Sequence, residues 1–291
     1  MTEEIAEDIL EQVYPERPTG AHKYNFGHLL VIGGSKLYSG SPAFAALAAY
    51  RAGVDLVTVV APRRAADTIA SFSPDLITYP IENDFFTPDH LSEVENFLEN
   101  KDAVVIGGGM GREFETLEFI RRFLARLELP AVIDADALHA VEGKSAYQES
   151  AEASMFEERN FILTPHAYEF YVLTGRRLPE DEAERIEIVK EAAAGLETII
   201  LEKGNPDIIS DGTRIAVNRT GNPFMTVGGT GDTLAGICGA YLAFGLDPFT
   251  AACAGAYVNG RAGDLTTEDL GPSLLASDLL DYIPQAISLI A

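Results

Sequence analysis

The chain has 291 residues, is 47% hydrophobic and carries a formal net charge of -24. This length suits one large α/β domain or two small ones, and the apolar fraction is ample for a substantial core. The negative charge argues against nucleic acid and anionic membranes as partners, because both repel an acidic surface. No apolar run reaches bilayer length, and the N-terminal stretch MTEEIAEDILEQV resembles neither a signal nor a transit peptide. We therefore expect a cytoplasmic protein.

The two cysteines, Cys238 and Cys253, lie in apolar runs of helical character. This placement predicts buried thiols that act as small hydrophobic side chains in a reducing compartment. No group of cysteines and histidines has the spacing of a zinc site.

The chain begins with a predicted short helix over residues 2–13, which ends before Pro15 and Pro18. We expect this helix to pack outside the main domain. A predicted strand (29–32), an Ala-rich helix (43–52) and a second strand (56–60) follow. The strands are almost continuously apolar, which is typical of a parallel sheet covered on both faces.

The alternation of strands and helices continues to the C-terminus. Further strands are predicted at 103–106, 131–133, 161–163 and 198–201, and a hairpin at 207–210 and 213–217 around Asp211 and Gly212. Helices are predicted at 116–127, 183–194, 249–263 and 275–289, the last bent or split by Pro284. Another helix is predicted to start at residue 169, and another to follow the glycine turn at 228–231 and run to about residue 244. Residues 76–100 and 140–158 look irregular and could be insertions. The pattern predicts an α/β fold with a central, mostly parallel sheet and helices on both faces.

Five predicted strands end in glycine or polar clusters, which begin at Gly33, Gly107, Asp134, Thr164 and Lys203. Because the carboxyl ends of parallel strands share one edge of the sheet, these clusters should line one cleft.

A glycine turn, Gly228-Gly229-Thr230-Gly231-Asp232, precedes an apolar helical run. Unpaired N–H groups at a helix start form an anion site, and glycine lets the backbone approach a phosphate. Asp232 beside such a site could be a general base that takes a proton from a hydroxyl. Capping of the helix by Asp232 is about as probable on this motif alone.

Seven motifs occur in order from about His22 to the C-terminus: GHLLVIGGSKLYSGSP, VIGGGMG, VIDADAL, LTPHAYE, EKG, VGGTGDTLAG and LLASDL. In this order the chain resembles the ADP/ATP-dependent NAD(P)H-hydrate dehydratase family. The resemblance implies a ribokinase-like domain over residues 21–291, preceded by a helical extension over 1–20. It also implies a repair reaction in which a nucleotide, ADP before ATP, phosphorylates the hydroxyl of the S-epimer of hydrated NADH or NADPH. Elimination of phosphate then restores the reduced ring.

The resemblance also assigns roles to residues. Asp232 would activate the hydroxyl and contact the substrate. The nucleotide would bind Lys203, Gly204, Asn205, Pro206, Asp207, Gly229, Thr230 and Gly231. The hydrated dinucleotide would contact Ser41, in the Gly40-Ser41 turn, together with Gly109, Gly111 and His166. Mg²⁺ is expected wherever phosphate is transferred, with Asp134 favoured over Asp136 as its carboxylate ligand.

The family pattern also implies a homotetramer and an epimerase acting on the same substrate pool. The epimerase domain fused to many members is expected to be absent here. Three positions depart from the usual motifs: GGGMG replaces GPGLG, Asp207 stands where a threonine is common, and His139 where an asparagine follows DADAL.

Alternative interpretations stay open for single residues and for the whole chain. His166 could cap a helix together with Glu169, Lys203 could be a surface charge, and the 107–111 glycine run could be a tight turn. A small-molecule kinase of the same fold, acting on a sugar or a vitamin precursor, would share the glycine turn. A nucleotide-binding regulator without turnover is a third possibility, although a carboxylate facing phosphate argues against it.

Overall fold

Ten strands form one sheet in the computed structural model, which describes residues 2–14, 18–141, 156 and 159–288. The strands are β1 (Thr2–Glu4), β2 (His28–Ile32), β3 (Leu56–Pro62), β4 (Ile77–Ile81), β5 (Ala103–Ile106), β6 (Ala131–Ile133), β7 (Phe161–Leu163), β8 (Ile199–Glu202), β9 (Asp207–Ser210) and β10 (Ile215–Asn218). Their order across the sheet is β1-β10-β9-β8-β7-β6-β5-β2-β3-β4.

The seven strands from β8 to β4 along this order are all parallel, and β9 and β10 form the expected antiparallel hairpin. The prediction of a mostly parallel sheet is therefore confirmed. In β2, Leu29 and Val31 belong to one hydrophobic core and Leu30 and Ile32 to the other. Alternate side chains point to opposite faces of a strand, so both faces of the sheet are buried.

Helices cover both faces, as the sequence predicted. The helices are α1 (Leu10–Val13), α2 (Gly40–Arg51), α3 (Arg63–Ala70), α4 (Leu91–Glu95), α5 (Phe114–Leu124), α6 (Asp136–Ala140), α7 (Ala167–Thr174), α8 (Glu182–Leu196), α9 (Thr230–Ala243), α10 (Pro248–Leu270) and α11 (Ala276–Ile287). On one face α2, α9, α10 and α11 contact one another, and α5 to α8 supply the core of the other face. Within the described residues, no helix combines the length and the hydropathy needed to cross a membrane.

The N-terminal prediction of a helix over residues 2–13 is wrong for its first turn. Thr2–Glu4 pairs in parallel with β10 at the sheet edge, and only Leu10–Val13 is α-helical. The expectation that the segment packs outside the main domain is also wrong, because Leu10 and Val13 are buried in the core. The short polar run TEE forms backbone hydrogen bonds with strand β10 at the sheet edge. This pairing joins segments that are far apart in the sequence, so the local pattern of polar and apolar residues does not reveal it. The division of the chain at residue 20 stays a prediction.

Residues 76–100 also differ from the prediction of an irregular insertion, because Ile77–Ile81 is the edge strand next to β3 and Leu91–Glu95 is a helix. Edge strands tolerate a proline, here Pro80, so the usual strand signal is weak. Pro284 lies inside α11 without splitting it. The other suggested insertion, residues 140–158, falls largely outside the described residues.

Candidate active site

Side chains from three strand ends meet at one buried carboxylate, Asp134, which directly follows β6. The Thr164 hydroxyl donates to Asp134 Oδ1 at 2.7 Å, and Lys203 Nζ donates to the same oxygen at 2.7 Å. Glu169 Oε2 lies 3.8 Å from Lys203 Nζ. Burial lowers the pKa of Lys203, but Asp134 and Glu169 outweigh it and the pKa is raised overall. Lys203 is thus a charged member of the cleft, and the predicted convergence of strand ends on one site is present.

The glycine turn forms the start of α9, and its conformation leaves the helix end free to accept an anion. Gly229 is the N-cap residue with φ +106°, and a Cβ built there would stand 2.7 Å from Ala276 Cβ. Among the described residues no side chain caps this helix. The N–H groups of Thr230 and Gly231 therefore lack partners from within the helix. A Cβ at Gly231 would lie 3.3 Å from Lys203 Nζ, so the ammonium group reaches the same helix end.

Asp232 is the third residue of α9, within the first turn of the helix, so it does not occupy the N-cap position. Its carboxylate faces a void of about 10 Å³, which is also lined by Ser41, Gly108 and Asp134. The pKa of Asp232 is raised to about 7, chiefly by burial and next by the charge of Asp134, although a hydrogen bond from Ser41 and the charge of Lys203 lower it. A carboxyl group with a pKa near neutrality is matched to general-base work at physiological pH.

A cavity of about 600 Å³ opens on the other side of the helix start. Its volume is in the range of small-molecule sites. It is lined by six of the predicted nucleotide residues: Lys203, Gly204, Asn205, Asp207, Thr230 and Gly231. The opposite wall was not anticipated from the sequence: Thr220, Gly221, Asn222, Pro223, Met225, Thr226, Val227, Leu234, Ala256, Asn259 and Gly260. The Gly-Asn-Pro turn at 221–223, just before the glycine turn, was the one local signal for this wall.

Asp207 closes the 203–207 segment on itself. Its Oδ1 accepts the Gly204 N–H at 3.0 Å, and its Oδ2 accepts the Asn218 side-chain amide at 3.0 Å. Burial raises the pKa of Asp207 to about 6, against the lowering effect of these two hydrogen bonds. The departure from the usual threonine therefore places a titratable carboxylate on the cavity wall.

The 107–111 glycine loop lies between Asp232 and α6. Gly108 packs so closely that a Cβ there would stand 2.9 Å from Asp232 Oδ1 and 3.0 Å from Ser41 Cβ. Asp136 holds the far end of the loop, because its carboxylate accepts the Gly111 N–H at 2.9 Å and Arg112 Nε at 2.8 Å.

Gly109, in the middle of the same loop, lies against Tyr38. A Cβ built on Gly109 would stand 2.7 Å from the Tyr38 Cβ. The structure thus brings Ser41 and the 107–111 loop together beside Asp232. Their contact with substrate stays a prediction.

His166 performs the capping that was its alternative interpretation. Its Nδ1 accepts the N–H groups of Tyr168 and Glu169 at 3.2 Å each, and its own N–H donates to Glu169 Oε2 at 2.9 Å. The His166 side chain is nevertheless 52% exposed and lines the large cavity next to Lys203. Capping therefore leaves a face of the imidazole open to a ligand, and the substrate contact stays a prediction.

Metal ligation by Asp134 or Asp136 also stays a prediction. In the described part of the chain, no group of three histidine, cysteine or acidic side chains is arranged to hold a metal ion. Asp134 Oδ1 is already shared by Thr164 and Lys203, and Asp136 by Gly111 and Arg112.

Comparison with known proteins decides the family. A family model described as NAD(P)H-hydrate dehydratase matches residues 29–285. The chain belongs to the NAD(P)H-hydrate dehydratase family. This membership confirms the resemblance on which the sequence assignment rested, and it favours the dehydratase over the kinase and the regulator.

Curated relatives of this family differ in how much of their length the chain matches. A bifunctional NAD(P)H-hydrate repair enzyme Nnr of Pyrobaculum aerophilum is 43% identical over 273 residues, which are 93% of this chain and 52% of the relative. The chain spans about half the length of such bifunctional relatives. An ADP-dependent (S)-NAD(P)H-hydrate dehydratase of Cenarchaeum symbiosum is 34% identical over 284 residues, 97% of this chain and 96% of the relative.

Solved structures support the ribokinase-like fold: a ribokinase-like superfamily protein of Enterococcus faecalis superposes with a TM-score of 0.82 at 25% identity, over 100% of this chain and 96% of the other. The ADP/ATP-dependent NAD(P)H-hydrate dehydratase of Bacillus subtilis, co-crystallised with ATP/Mg²⁺, superposes with a TM-score of 0.81 at 27% identity. The match covers 98% of this chain and 97% of the other.

Proposed function

We propose that this protein is an ADP-dependent dehydratase of the S-epimer of hydrated NADH and NADPH. The observation that carries the proposal is the position of Asp232. It lies in the first turn of an uncapped helix and lines a small void with Ser41 and Gly108, while its neighbours Thr230 and Gly231 line the large cavity together with residues of the 203–207 segment. A hydroxyl held at Asp232 would therefore lie next to the cavity in which we propose that the nucleotide binds.

Asp232 would accept the proton of the ring hydroxyl while the oxygen attacks the terminal phosphorus of ADP, and the bond from that phosphorus to the bridging oxygen breaks so that AMP leaves. Its pKa of about 7 leaves it substantially ionised at neutral pH. The N–H groups at the start of α9 and the Lys203 ammonium would hold the phosphate oxygens, where charge accumulates during transfer. The ring carbon–oxygen bond then breaks to release phosphate, the neighbouring ring carbon gives up a proton to solvent, and the carbon–carbon double bond that forms restores the reduced nicotinamide.

We expect the phosphate oxygens of the nucleotide to provide most of the ligands that hold Mg²⁺ at this site. The ion is commonly held by one or two carboxylates together with phosphate oxygens. Asp134 is the carboxylate that we propose for this purpose, with Asp136 second because it holds Gly111 and Arg112. When bound, the ion would neutralise phosphate charge.

Three further properties belong to the same proposal. We expect a cytoplasmic homotetramer, whose assembly tightens with salt because protomers of charge -24 repel one another. We also expect a separate epimerase to act on the same substrate pool. The bifunctional relatives, of which this chain matches about half, support the pairing of the two activities.

The direct test adds hydrated NADH to the purified protein and follows the absorbance of the reduced nicotinamide ring. ADP, ATP and no nucleotide are run in parallel, and free phosphate is measured at the end. The proposal expects absorbance to return only with nucleotide and faster with ADP. Transfer of phosphate to a panel of sugars and vitamin-precursor alcohols, without recovery of the ring, would instead identify a kinase.

A further inference from the structure

Arg185 occupies a position that helix stability does not explain. It ends the first turn of α8, where its N–H donates to the carbonyl of the N-cap residue Asp181 at 3.0 Å. A cation near a helix N-terminus meets the positive end of the helix dipole. The side chain is also only 12% exposed, and burying a guanidinium is costly unless its partners compensate.

The buried guanidinium joins the end of strand β8 to the 203–207 segment. Arg185 Nη2 donates to Glu202 Oε2 at 2.7 Å and to the Pro206 carbonyl at 2.9 Å. Glu202 is the last residue of β8 and is only 2% exposed. Burial raises the pKa of Glu202 to about 7, although Arg185 lowers it. The pair thus bears a desolvation cost that a surface ion pair would avoid.

The same nitrogen lies against the backbone of Gly204, because a Cβ built on Gly204 would stand 2.6 Å from Nη2. On its other side, the Gly204 N–H is held by Asp207 Oδ1 at 3.0 Å. Arg185 Nε is buried and has no hydrogen-bond partner among the described residues. Within the described residues, the guanidinium therefore donates its hydrogen bonds from Nη2 alone, to Glu202 and to the segment that lines the large cavity.

We propose that Arg185 is a positioning residue for the nucleotide: with Glu202 as its counter-ion, it holds the 203–207 segment in the shape that accepts ADP. The inference rests on the proposed function, because it takes ADP as the occupant of this cavity. Arg185 itself acts through the backbone of the segment, at Pro206 and Gly204. Its loss should therefore weaken ground-state and transition-state binding of the nucleotide alike, which raises KM and leaves kcat almost unchanged.

Three variants test this inference, with ADP affinity measured by titration calorimetry and KM and kcat measured with hydrated NADH. Arg185→Met should raise Kd and KM for ADP about tenfold or more, as expected for a lost charged hydrogen bond, with kcat at saturating ADP within about twofold of the parent. Arg185→Lys should recover most of the affinity, because one ammonium group can donate to both Glu202 and Pro206.

The double variant Arg185→Met/Glu202→Leu separates positioning from general stability. Replacing a buried ion pair by apolar side chains often keeps or increases stability. We therefore expect the double variant to fold as well as the parent and still to bind ADP about tenfold more weakly. Arg122→Met is the matched control. It removes an exposed ion pair on α5, between Arg122 and Glu118, whose length equals that of the pair between Arg185 and Glu202, and it should leave ADP binding unchanged.

ADP affinity of the double variant equal to that of the parent would overturn the inference and leave the proposed function intact. Equal losses in kcat and in ADP affinity for Arg185→Met would overturn it as well, since they would indicate a disturbed catalytic centre. A parent protein that binds neither ADP nor ATP would overturn the proposed function, and this inference with it.

Discussion

Replacing Asp232 by asparagine should stabilise the fold, and the gain should appear only above acidic pH. Burial raises the pKa of this carboxyl from 3.8 to about 7, so the folded protein prefers it neutral. Each pKa unit corresponds to about 1.36 kcal/mol, which gives ~4 kcal/mol as an upper bound for the cost of the charge. Because the side chain is partly exposed, water screens the charge, and we expect about 2 kcal/mol to be measurable.

The sign of the pH dependence follows from proton binding. Between about pH 4 and pH 7 the unfolded chain has lost this proton and the folded chain has kept it, so stability contributed by Asp232 falls as pH rises. Above pH 7 both states are ionised and the full penalty is present. Asparagine has nearly the same shape and no charge, so the variant should gain little at about pH 4 and nearly the full amount at about pH 8.

Urea unfolding gives the free energy of unfolding of parent and variant at each of these two pH values. The quantity tested is the change, between the two pH values, in the stability difference between variant and parent. Asp136→Asn is the matched control, because it also removes a carboxylate from this edge of the sheet but breaks the ion pair with Arg112. It should gain nothing at the higher pH. An Asp232→Asn protein that is no more stable than the parent at about pH 8 would refute the burial argument.

Three other substitutions test the nucleotide and substrate sides of the site. Lys203→Ala should weaken ADP binding on the order of 1–3 kcal/mol in calorimetry, with a smaller loss in turnover, because the ammonium group would contact phosphate in ground and transition states alike. A large fall in turnover at unchanged ADP affinity would contradict this role. Gly108→Ala should lower kcat roughly 10²-fold at unchanged ADP affinity, since its Cβ would meet Asp232 Oδ1 at 2.9 Å, and parental turnover would show that this contact does not matter. Above pH 6, Asp207→Asn should bind ADP more tightly than the parent by on the order of 1 kcal/mol, because one negative charge facing the negatively charged nucleotide has been removed. Below pH 6 the two proteins should bind ADP equally, because Asp207 of the parent is then protonated. A difference in affinity that does not change with pH would refute the titration of Asp207.

The elements that could be predicted from the sequence are those with strong local patterns. The buried strands 103–106, 131–133 and 161–163 are continuous apolar runs, and all three occur as predicted. The convergence of their polar ends followed from parallel topology alone. Strand β4 was missed because an edge strand is half-exposed and tolerates a proline.

The less local parts of the site could not be read from the sequence in this way. The second wall of the large cavity depends on how residues 220–227 fold back against α10, a tertiary contact without a period of its own. Arg185 lies in a helix rich in charged residues, where the expected position of an arginine is in solvent. Its burial becomes evident only when Glu202 and Pro206 are placed beside it.

The central claim is that Asp232 is the base of a nucleotide-dependent dehydration, and turnover by Asp232→Asn tests it most directly. Parent and variant are given hydrated NADH with saturating ADP, and the return of reduced-ring absorbance is followed. The account predicts a turnover loss of about 10²–10⁴-fold, because the amide cannot accept the hydroxyl proton, with ADP affinity held or improved. Restoration of the ring by the variant at close to the parental rate would contradict the account.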